Sequence, residues 1–118
     1  MISTSEYFRQ TSQARYDLFI EHLYKGEPCF TLADAEGCLI LTVANEKVLP
    51  LWPTSDMATD WAAKEHSGFS AFEIGQQDLV EKWLPGMSND GFSVGVAPNM
   101  SGEGIVVQAG EFLQDIQG

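Results

Sequence analysis

The chain has 118 residues, 44% of them apolar, and its 17 Asp and Glu outweigh its 6 Lys and Arg to give a formal charge of −11. That length fits a single domain over residues 1–118, and the apolar content supports a packed core, which excludes two ordinary domains or a disordered chain. The negative charge disfavours binding to nucleic acid and to anionic membrane surfaces, and leaves a basic partner or a well-solvated surface.

The first predicted element is a long helix, which begins after Ser3 and continues to Leu23. Ser3 and Glu6 have the spacing of a capping box, and Gly26 and Pro28 end the helix. Its predicted core stripe consists of Tyr7, Phe8, Thr11, Ala14, Arg15, Leu18, Phe19 and His22. Further apolar residues lie around the back of the same helix: Tyr16, Ile20, Leu23 and Tyr24. We interpret this second face either as deeply buried or as an interface for self-association or for a protein partner.

The next predicted element is a hairpin formed by residues 29–33 and 38–43. Residues 35 and 36 form its tip, because this register places the apolar residues of both strands on one face. The residues expected to face one another on the core side are the pairs Phe30–Leu41 and Leu32–Leu39.

Beyond the hairpin, short strands alternate with helices. The strands predicted from alternation and β-branched residues span 48–52, 70–74, 92–97 and 105–108. The predicted helices span 54–66, 76–84 and 110–116, and the second of them ends at Pro85-Gly86. The order α-β-β-β-α-β-α-β-β-α indicates an α+β domain, in which three to four helices pack against one mixed, mostly antiparallel sheet of about five to six strands.

No export signal is recognisable, because the first residues lack a basic start and an apolar run, and no apolar stretch is long enough to span a membrane. We therefore expect a cytoplasmic protein in which Cys29 and Cys38 stay reduced. In the hairpin register these two residues are four positions out of step, roughly 13 Å along the strands. A disulfide needs Cα atoms within about 7 Å, so the two thiols are expected to pack as small apolar side chains.

The segment Gly91-Phe92-Ser93-Val94-Gly95 matches the G-x-S-x-G pattern of serine hydrolases, which needs a sharp turn at the serine and then a helix. Here strand alternation continues through Ser93, and Pro98 prevents a following helix. Both histidines also precede the serine, against the hydrolase order. We therefore expect no catalytic residue in this segment and interpret Gly95 as a site of close packing on the sheet.

The remaining motifs indicate neither a cofactor nor a metal. The loop Gly102-Glu103-Gly104 has no lysine and leads into a strand, so it is typical of a hairpin loop and not of a phosphate-binding loop. The two cysteines and two histidines lack the spacing of metal ligands. We expect the protein to act without a cofactor or a metal.

Two segments of the chain resemble a known family. They are Val48-Leu49-Pro50-Leu51-Trp52-Pro53, followed by an Ala-rich helix with Trp61, and Leu79-Val80-Glu81-Lys82-Trp83-Leu84-Pro85. Together with the closing segment from Val96-Ala97-Pro98 to Gly102-Glu103-Gly104-Ile105, they make nearly the whole chain similar to the small bacterial family called domain of unknown function 2750. More distantly, the layout is similar to SseB-type domains. The resemblance implies a fold and a bacterial source, but no activity.

Three functions remain open. The first is a non-enzymatic protein-binding or regulatory module, which suits the acidity, the small size and the lack of a catalytic motif. The second is a small-molecule sensor with a groove formed by Trp52, Pro53 and Pro98, because aromatic and proline residues around a concavity are typical of binding sites. The other interpretation of Trp52, shared with Trp61 and Trp83, is a packing role in the core. The third is an enzyme with a histidine and a carboxylate poised in a cleft. Its candidate residues are His66 with Glu65 or Asp60.

Overall fold

A computed structural model describes residues 3–117, which form five helices and seven strands. The helices are α1 (Thr4–Arg9), α2 (Ser12–Tyr24), α3 (Ser55–Glu65), α4 (Gln76–Asp78, continued by a π-helical turn Leu79–Trp83 and by Leu84–Asp90) and α5 (Ala109–Gln117). The strands are β1 (Cys29–Asp34), β2 (Gly37–Cys38), β3 (Leu41–Val43), β4 (Glu46–Leu51), β5 (Ser70–Ile74), β6 (Ser93–Val96) and β7 (Ile105–Gln108). The α+β class predicted from the sequence is confirmed. None of the helices within residues 3–117 combines the length and the apolar character needed to cross a membrane.

The strands form two small sheets in place of the single sheet predicted. One has the order β2-β1-β5 and is antiparallel, and the other has the order β3-β4-β6-β7. Among the strand pairs of residues 3–117, only β4 and β6 run parallel, which the long crossover through α3, β5 and α4 permits. The sheets are joined where the main chains of Phe30 and Trp52 exchange two hydrogen bonds of 2.8 Å.

The predicted hairpin is correct near its turn. Ala33 pairs with Cys38, and the Leu39 N–H donates to the Leu32 carbonyl at 2.8 Å, as the predicted register requires. The short antiparallel pair β1–β2 is what remains of the long hairpin predicted over residues 29–43.

Beyond Leu39 the prediction is wrong, because the chain leaves the first sheet. Leu41 pairs with Val48 and not with Phe30. The physical reason lies in Ala44 and Asn45, which both have positive φ, 49° and 70°. Two consecutive residues with positive φ form the type of two-residue turn that best matches the twist of antiparallel strands, so β3 pairs locally with β4.

The long first helix predicted from the sequence is broken in two. Ser3 caps α1 as expected, and its hydroxyl accepts the Glu6 N–H at 3.3 Å. Thr11 then adopts an extended conformation and caps α2, accepting the Ala14 N–H at 3.1 Å. The break resets the helix face that packs on the core, which now consists of Arg15, Phe19 and Leu23.

The helix predicted to end at Pro85 continues past it. In the π-helical turn Leu79–Trp83, the Leu84 N–H donates to the Leu79 carbonyl, five residues back. The wider turn shifts the hydrogen-bond register, so that Pro85 falls in the first turn of the next helical segment, where its missing N–H is tolerated. The helix ends only at Gly91, in a left-handed conformation with φ +78°.

Gly95 allows the Val48 side chain of β4 to pack closely on the sheet, as predicted. A Cβ atom at this position would lie 2.8 Å from Val48 Cγ1, well inside van der Waals contact. Both residues are buried on the second sheet, so a side chain at position 95 would push the Val48 methyl group out of its place.

Candidate functional site

The carboxyl ends of the two parallel strands meet at one corner of the second sheet. β4 ends at Leu51 and β6 at Val96, and a proline follows two residues after each. The Trp52 indole N–H donates to the Pro98 carbonyl at 3.1 Å, so the residues of the predicted groove do come together. However, Trp52, Pro53 and Pro98 are all buried. This corner is packed as part of the core, and a ligand arriving here would contact the neighbours of Trp52 and not its ring.

The loop of residues 97–104, which follows this corner, is held by side chains from distant parts of the chain. Its first three carbonyls each accept a hydrogen bond from a nitrogen of a long side chain. These bonds run from Arg15 Nε to Ala97 at 3.0 Å, from Trp52 Nε1 to Pro98 at 3.1 Å and from Trp61 Nε1 to Asn99 at 2.9 Å. Because the donors come from α2, from the end of β4 and from α3, the loop keeps its path only when these elements are packed together.

Asn99 organises the same loop from within. Its Oδ1 accepts the N–H groups of Ser101 and Glu103 at 3.0 and 2.9 Å, and its own N–H donates to the Glu103 carbonyl at 2.9 Å. The loop joins the antiparallel strands β6 and β7, which confirms the hairpin loop predicted around Gly102-Glu103-Gly104.

Arg15 is a buried cation, 1% exposed, beneath this loop. Burial lowers the pKa of its guanidinium, but an arginine stays protonated in proteins. Its donors are satisfied by the Ser12 hydroxyl and by the carbonyls of Gln10, Ala97 and Glu103. The sequence placed Arg15 on the apolar stripe of the first helix, which indicates a buried charge with hydrogen-bond partners. Its partners Ala97 and Glu103 could not be identified from the sequence, because they lie far from Arg15 in the chain.

A small pocket of about 140 Å³ opens beside the Trp61 indole. The His66 ring stacks on Trp61, with ring centroids 5.2 Å apart and planes within 6°. Glu65 and the exposed side chain of Met100 also line the pocket. Of the two carboxylates proposed as partners of His66, Glu65 therefore shares this pocket, whereas Asp60 is not among its lining residues in the described part of the chain.

Ser93 lies within β6, so the strand predicted through the G-x-S-x-G segment is confirmed. Its side chain is 6% exposed, and its hydroxyl donates to the Glu46 carboxylate at 3.3 Å. This hydrogen bond links the beginnings of β6 and β4.

A groove of about 490 Å³ lies between β7, α2 and α5. We call it the β7 groove, because all four residues of that strand line it. The other lining residues are Gln13 and Tyr16 of α2, Glu111 and Asp115 of α5, Glu46 and Ser93. Three of them are carboxylates, and no Lys, Arg or His of residues 3–117 lines the groove. An adjoining hollow of about 330 Å³ shares Tyr16 and Asp115 with it and adds Asp17.

The four predicted interface residues of the first helix have different environments. Leu23 is fully buried, which agrees with the first of the two interpretations of this face, because it lies four residues after Phe19 and eight after Arg15 on the buried side of α2. Tyr16 lines the β7 groove, and its hydroxyl donates to the Asp115 carboxylate. Ile20 is half-buried and lines the adjoining hollow, whereas Tyr24 is 56% exposed at the end of α2.

The two cysteines are free thiols, Cys29 buried and Cys38 half-buried. Cys38 pairs with Ala33 as predicted, whereas Cys29 pairs with Ile74 of β5. Burial raises the pKa of Cys29 to about 12, so this thiol is protonated at neutral pH and is a poor nucleophile.

The carboxylates of the β7 groove were missed by the sequence analysis. Glu46, Glu111 and Asp115 come from distant positions and form no motif. One signal pointed towards them, since no Lys or Arg follows Lys82, and β7 and α5 lie in that part of the chain.

Comparison with known protein families gives a match over most of the chain. The model of a family described as a protein of unknown function (DUF2750) matches residues 16–116, which include both segments that carry the resemblance. No curated protein matches the chain. The weaker similarity to SseB-type domains stays a prediction.

Proposed function

Because the chain belongs to the DUF2750 family, which is described only as of unknown function, we propose a function from its surface: a non-enzymatic module that binds a basic segment of a partner protein in the β7 groove. The observation that carries this proposal is the charge of the groove, which Glu46, Glu111 and Asp115 all line. A groove of one sign raises the local concentration of oppositely charged ligands and speeds their association.

None of the six Lys and Arg side chains, all of which belong to residues 3–117, lines this groove, and four of them have contacts elsewhere. Lys25 and Lys82 form ion pairs of 3.4 and 3.6 Å with carboxylates one helical turn away. The Lys47 ammonium lies 5.7 Å from the centre of the Phe92 ring, and Arg15 is buried. A basic partner would supply the positive charge that the groove itself lacks.

The polar contacts of the groove suit binding. The Ser93 hydroxyl donates to Glu46, and the Tyr16 hydroxyl donates to Asp115. Each bond orients a carboxylate through one of its oxygens. The other oxygen stays available to an ammonium or guanidinium group, with which a charge-assisted hydrogen bond is stronger than one between neutral groups.

We expect Glu111→Gln combined with Asp115→Asn to weaken the binding of a basic peptide about threefold or more, because an exposed charge pair contributes about 0.2–1 kcal/mol. The probe is octalysine, titrated into the protein by isothermal calorimetry. The measurement is made at low ionic strength, where charges are least screened.

The matched control is Glu27→Gln combined with Glu73→Gln, which removes the same two charges from exposed positions outside the groove. Octalysine is attracted by any strongly acidic chain, so the comparison between the two variants is the test. An equal loss of affinity in both would mean that the peptide responds only to net charge, and the proposal would be wrong.

A second candidate, a small-molecule sensor, is supported by the pocket beside Trp61. The stack of Trp61 and His66 offers a flat, partly exposed surface to a planar ligand. In a fluorescence screen of a metabolite panel, we expect a binding ligand to change the tryptophan emission. Trp61→Phe should abolish the change, and Trp83→Phe, in a half-buried tryptophan of α4, should keep it. A response that survives Trp61→Phe would place the ligand elsewhere.

A further inference from the structure

We infer that the basic segment docks as an additional β-strand on the open edge of β7. This inference rests on the proposed function and specifies its binding mode. Within residues 3–117, β7 lies at the end of the second sheet and pairs with β6 on one side only. In an antiparallel ladder, every second residue points its N–H and C=O away from the neighbouring strand. Two of the four residues of β7 therefore present these groups outward.

The outward groups of residues 105–107 are not used elsewhere in the described chain, whereas the Gln108 carbonyl directly precedes α5 and belongs to the start of that helix. Outside the helices and sheets, no main-chain hydrogen bond within residues 3–117 involves residues 105–107. No side chain within residues 3–117 forms a hydrogen bond to the main chain of residues 105–107 either. The edge of β7 is thus a row of donors and acceptors that another extended chain can pair with.

The β7 groove follows this open edge. All four residues of β7 line it, although successive side chains of a strand project to opposite faces of the sheet. A hollow on one face would contact alternate residues only. Contact with four in succession therefore places part of the groove along the edge, where residues of α2 and α5 add side-chain contacts to the main-chain ladder. Glu46 of β4 and Ser93 of β6 also line the groove, so its other end reaches over one face of the sheet.

The edge is apolar and regular. Proteins often protect an open edge with lysine, with proline or with a β-bulge. The segment Ile105-Val106-Val107-Gln108 contains neither of these residues, and its pairing with β6 continues without a bulge from one end to the other. Val106 is 39% exposed. These features suit recognition by strand addition, in which the main chain provides affinity and the side chains provide specificity.

Charge complementarity identifies the occupant as an extended basic segment and argues against a second copy of this chain. Two copies joined through β7 would place Glu46, Glu111 and Asp115 of one beside the same residues of the other, and each copy carries a charge of −11. Like charges across a strand pair are destabilising. A segment with Lys or Arg at alternate positions can pair its main chain with β7 while its basic side chains reach these carboxylates.

The test compares two peptides that differ only in their amide groups. The first has seven residues, alternates lysine with valine and is capped at both ends. The second is the same peptide with the main-chain amide of every residue N-methylated, which keeps all charges and side chains but removes the donors along both edges. We expect the full-length protein to bind the first peptide about tenfold more tightly than the second. This is the effect expected when the second peptide loses about two main-chain hydrogen bonds to the protein.

Amide hydrogen exchange measured by NMR gives the structural readout. The outward amides of β7 should exchange quickly in the free protein and slowly with the first peptide bound. Strand β5 is the internal control, because it also lies at a sheet edge but outside the groove. Its exchange should not change.

Two outcomes would overturn strand addition. If both peptides bind equally and the β7 amides keep their exchange rates, the groove attracts basic groups without a ladder, and the proposed function, tested by the carboxylate variants, still stands. If sedimentation shows a dimer of the free protein whose β7 amides are already protected, a second copy occupies the edge.

Discussion

Arg15→Met is expected to lower the free energy of unfolding by about 3–5 kcal/mol, because several buried acceptors lose a charged donor together and each orphaned group costs about 1–3 kcal/mol. The methionine fills similar space but donates nothing to Ala97 and Glu103, the two ends of the loop that Arg15 holds. A domain of this size is stable by about 5–15 kcal/mol in total, so the variant should be close to unfolding.

Urea denaturation followed by circular dichroism measures this effect, with the slope showing whether unfolding stays two-state. Arg9→Met is the matched control, because Arg9 is exposed at the end of α1, and we expect it to change stability by no more than about 0.5 kcal/mol. The free energy of unfolding of Arg15→Lys should lie between those of Arg15→Met and Arg9→Met, since an ammonium group keeps the charge but lacks the planar, five-donor geometry of a guanidinium group. Equal stability of Arg15→Met and Arg9→Met would contradict the role given to Arg15.

Trp52→Ala is expected to cost about 3–5 kcal/mol, because it leaves a large cavity in the core. Trp52 has no exposed surface, and its ring lies 5.1 Å from that of Trp61. Trp52→Phe isolates the polar contribution. It keeps an aromatic ring but leaves the Pro98 carbonyl without its donor, for an expected loss of about 1–3 kcal/mol.

The same urea measurement checks this prediction, and Trp83→Phe is the control, since Trp83 is only half-buried and has no part in the loop. A denaturation midpoint of Trp52→Phe that matches the parent would mean that the indole hydrogen bond contributes nothing. Arg15→Lys combined with Trp52→Phe should differ from the sum of the single changes by about 0.5 kcal/mol or more, because both act on adjacent carbonyls of one loop.

The elements predicted most closely are those whose signals are local. Helix α3 begins after Thr54, whose hydroxyl accepts the Met57 N–H at 3.2 Å, and its buried residues have helical spacing. Strands β5 and β7 have the predicted bounds, and α5 differs from its prediction by one residue at each end. In each case a cap or an alternating pattern within a few residues was enough.

The errors arose where a local alternative competed with a longer pattern. Threonine is unfavourable inside a helix but favourable as its N-cap, and Thr11 caps α2. The apolar stripe predicted for one helix from Tyr7 to His22 therefore belongs to two helices, α1 and α2. The turn at Ala44 and Asn45 took β3 away from the predicted hairpin. At Pro85 the π-helical turn kept a helix intact that the proline was expected to end. Periodicity alone cannot decide between one long helix and two, or between two hairpin pairings, because the free energies of these local structures differ little until the core is packed.

In the candidate site too, local features were predicted from the sequence, whereas contacts between distant residues were not. The sequence indicated that Trp52 and Pro98 meet at a corner, and they do. Of the two interpretations of Trp52, as a core residue or as the lining of a groove, the structure confirms the core. The sequence indicated an acidic surface, but not that Glu46 would join Glu111 and Asp115 in one groove. Residues far apart in the chain become neighbours only through strand pairing and helix packing.

The sequence by itself determined that this protein is acidic, that its fold is α+β and that it belongs to the DUF2750 family, because composition, caps and alternation act over short distances. The net charge of −11 is a property of the whole chain. Only the tertiary structure decided where that charge is concentrated and which strand edge it borders. The parallel pairing of β4 with β6 and the antiparallel pairing of β6 with β7 leave β7 at the end of the sheet, and these long-range contacts are not written in any local segment.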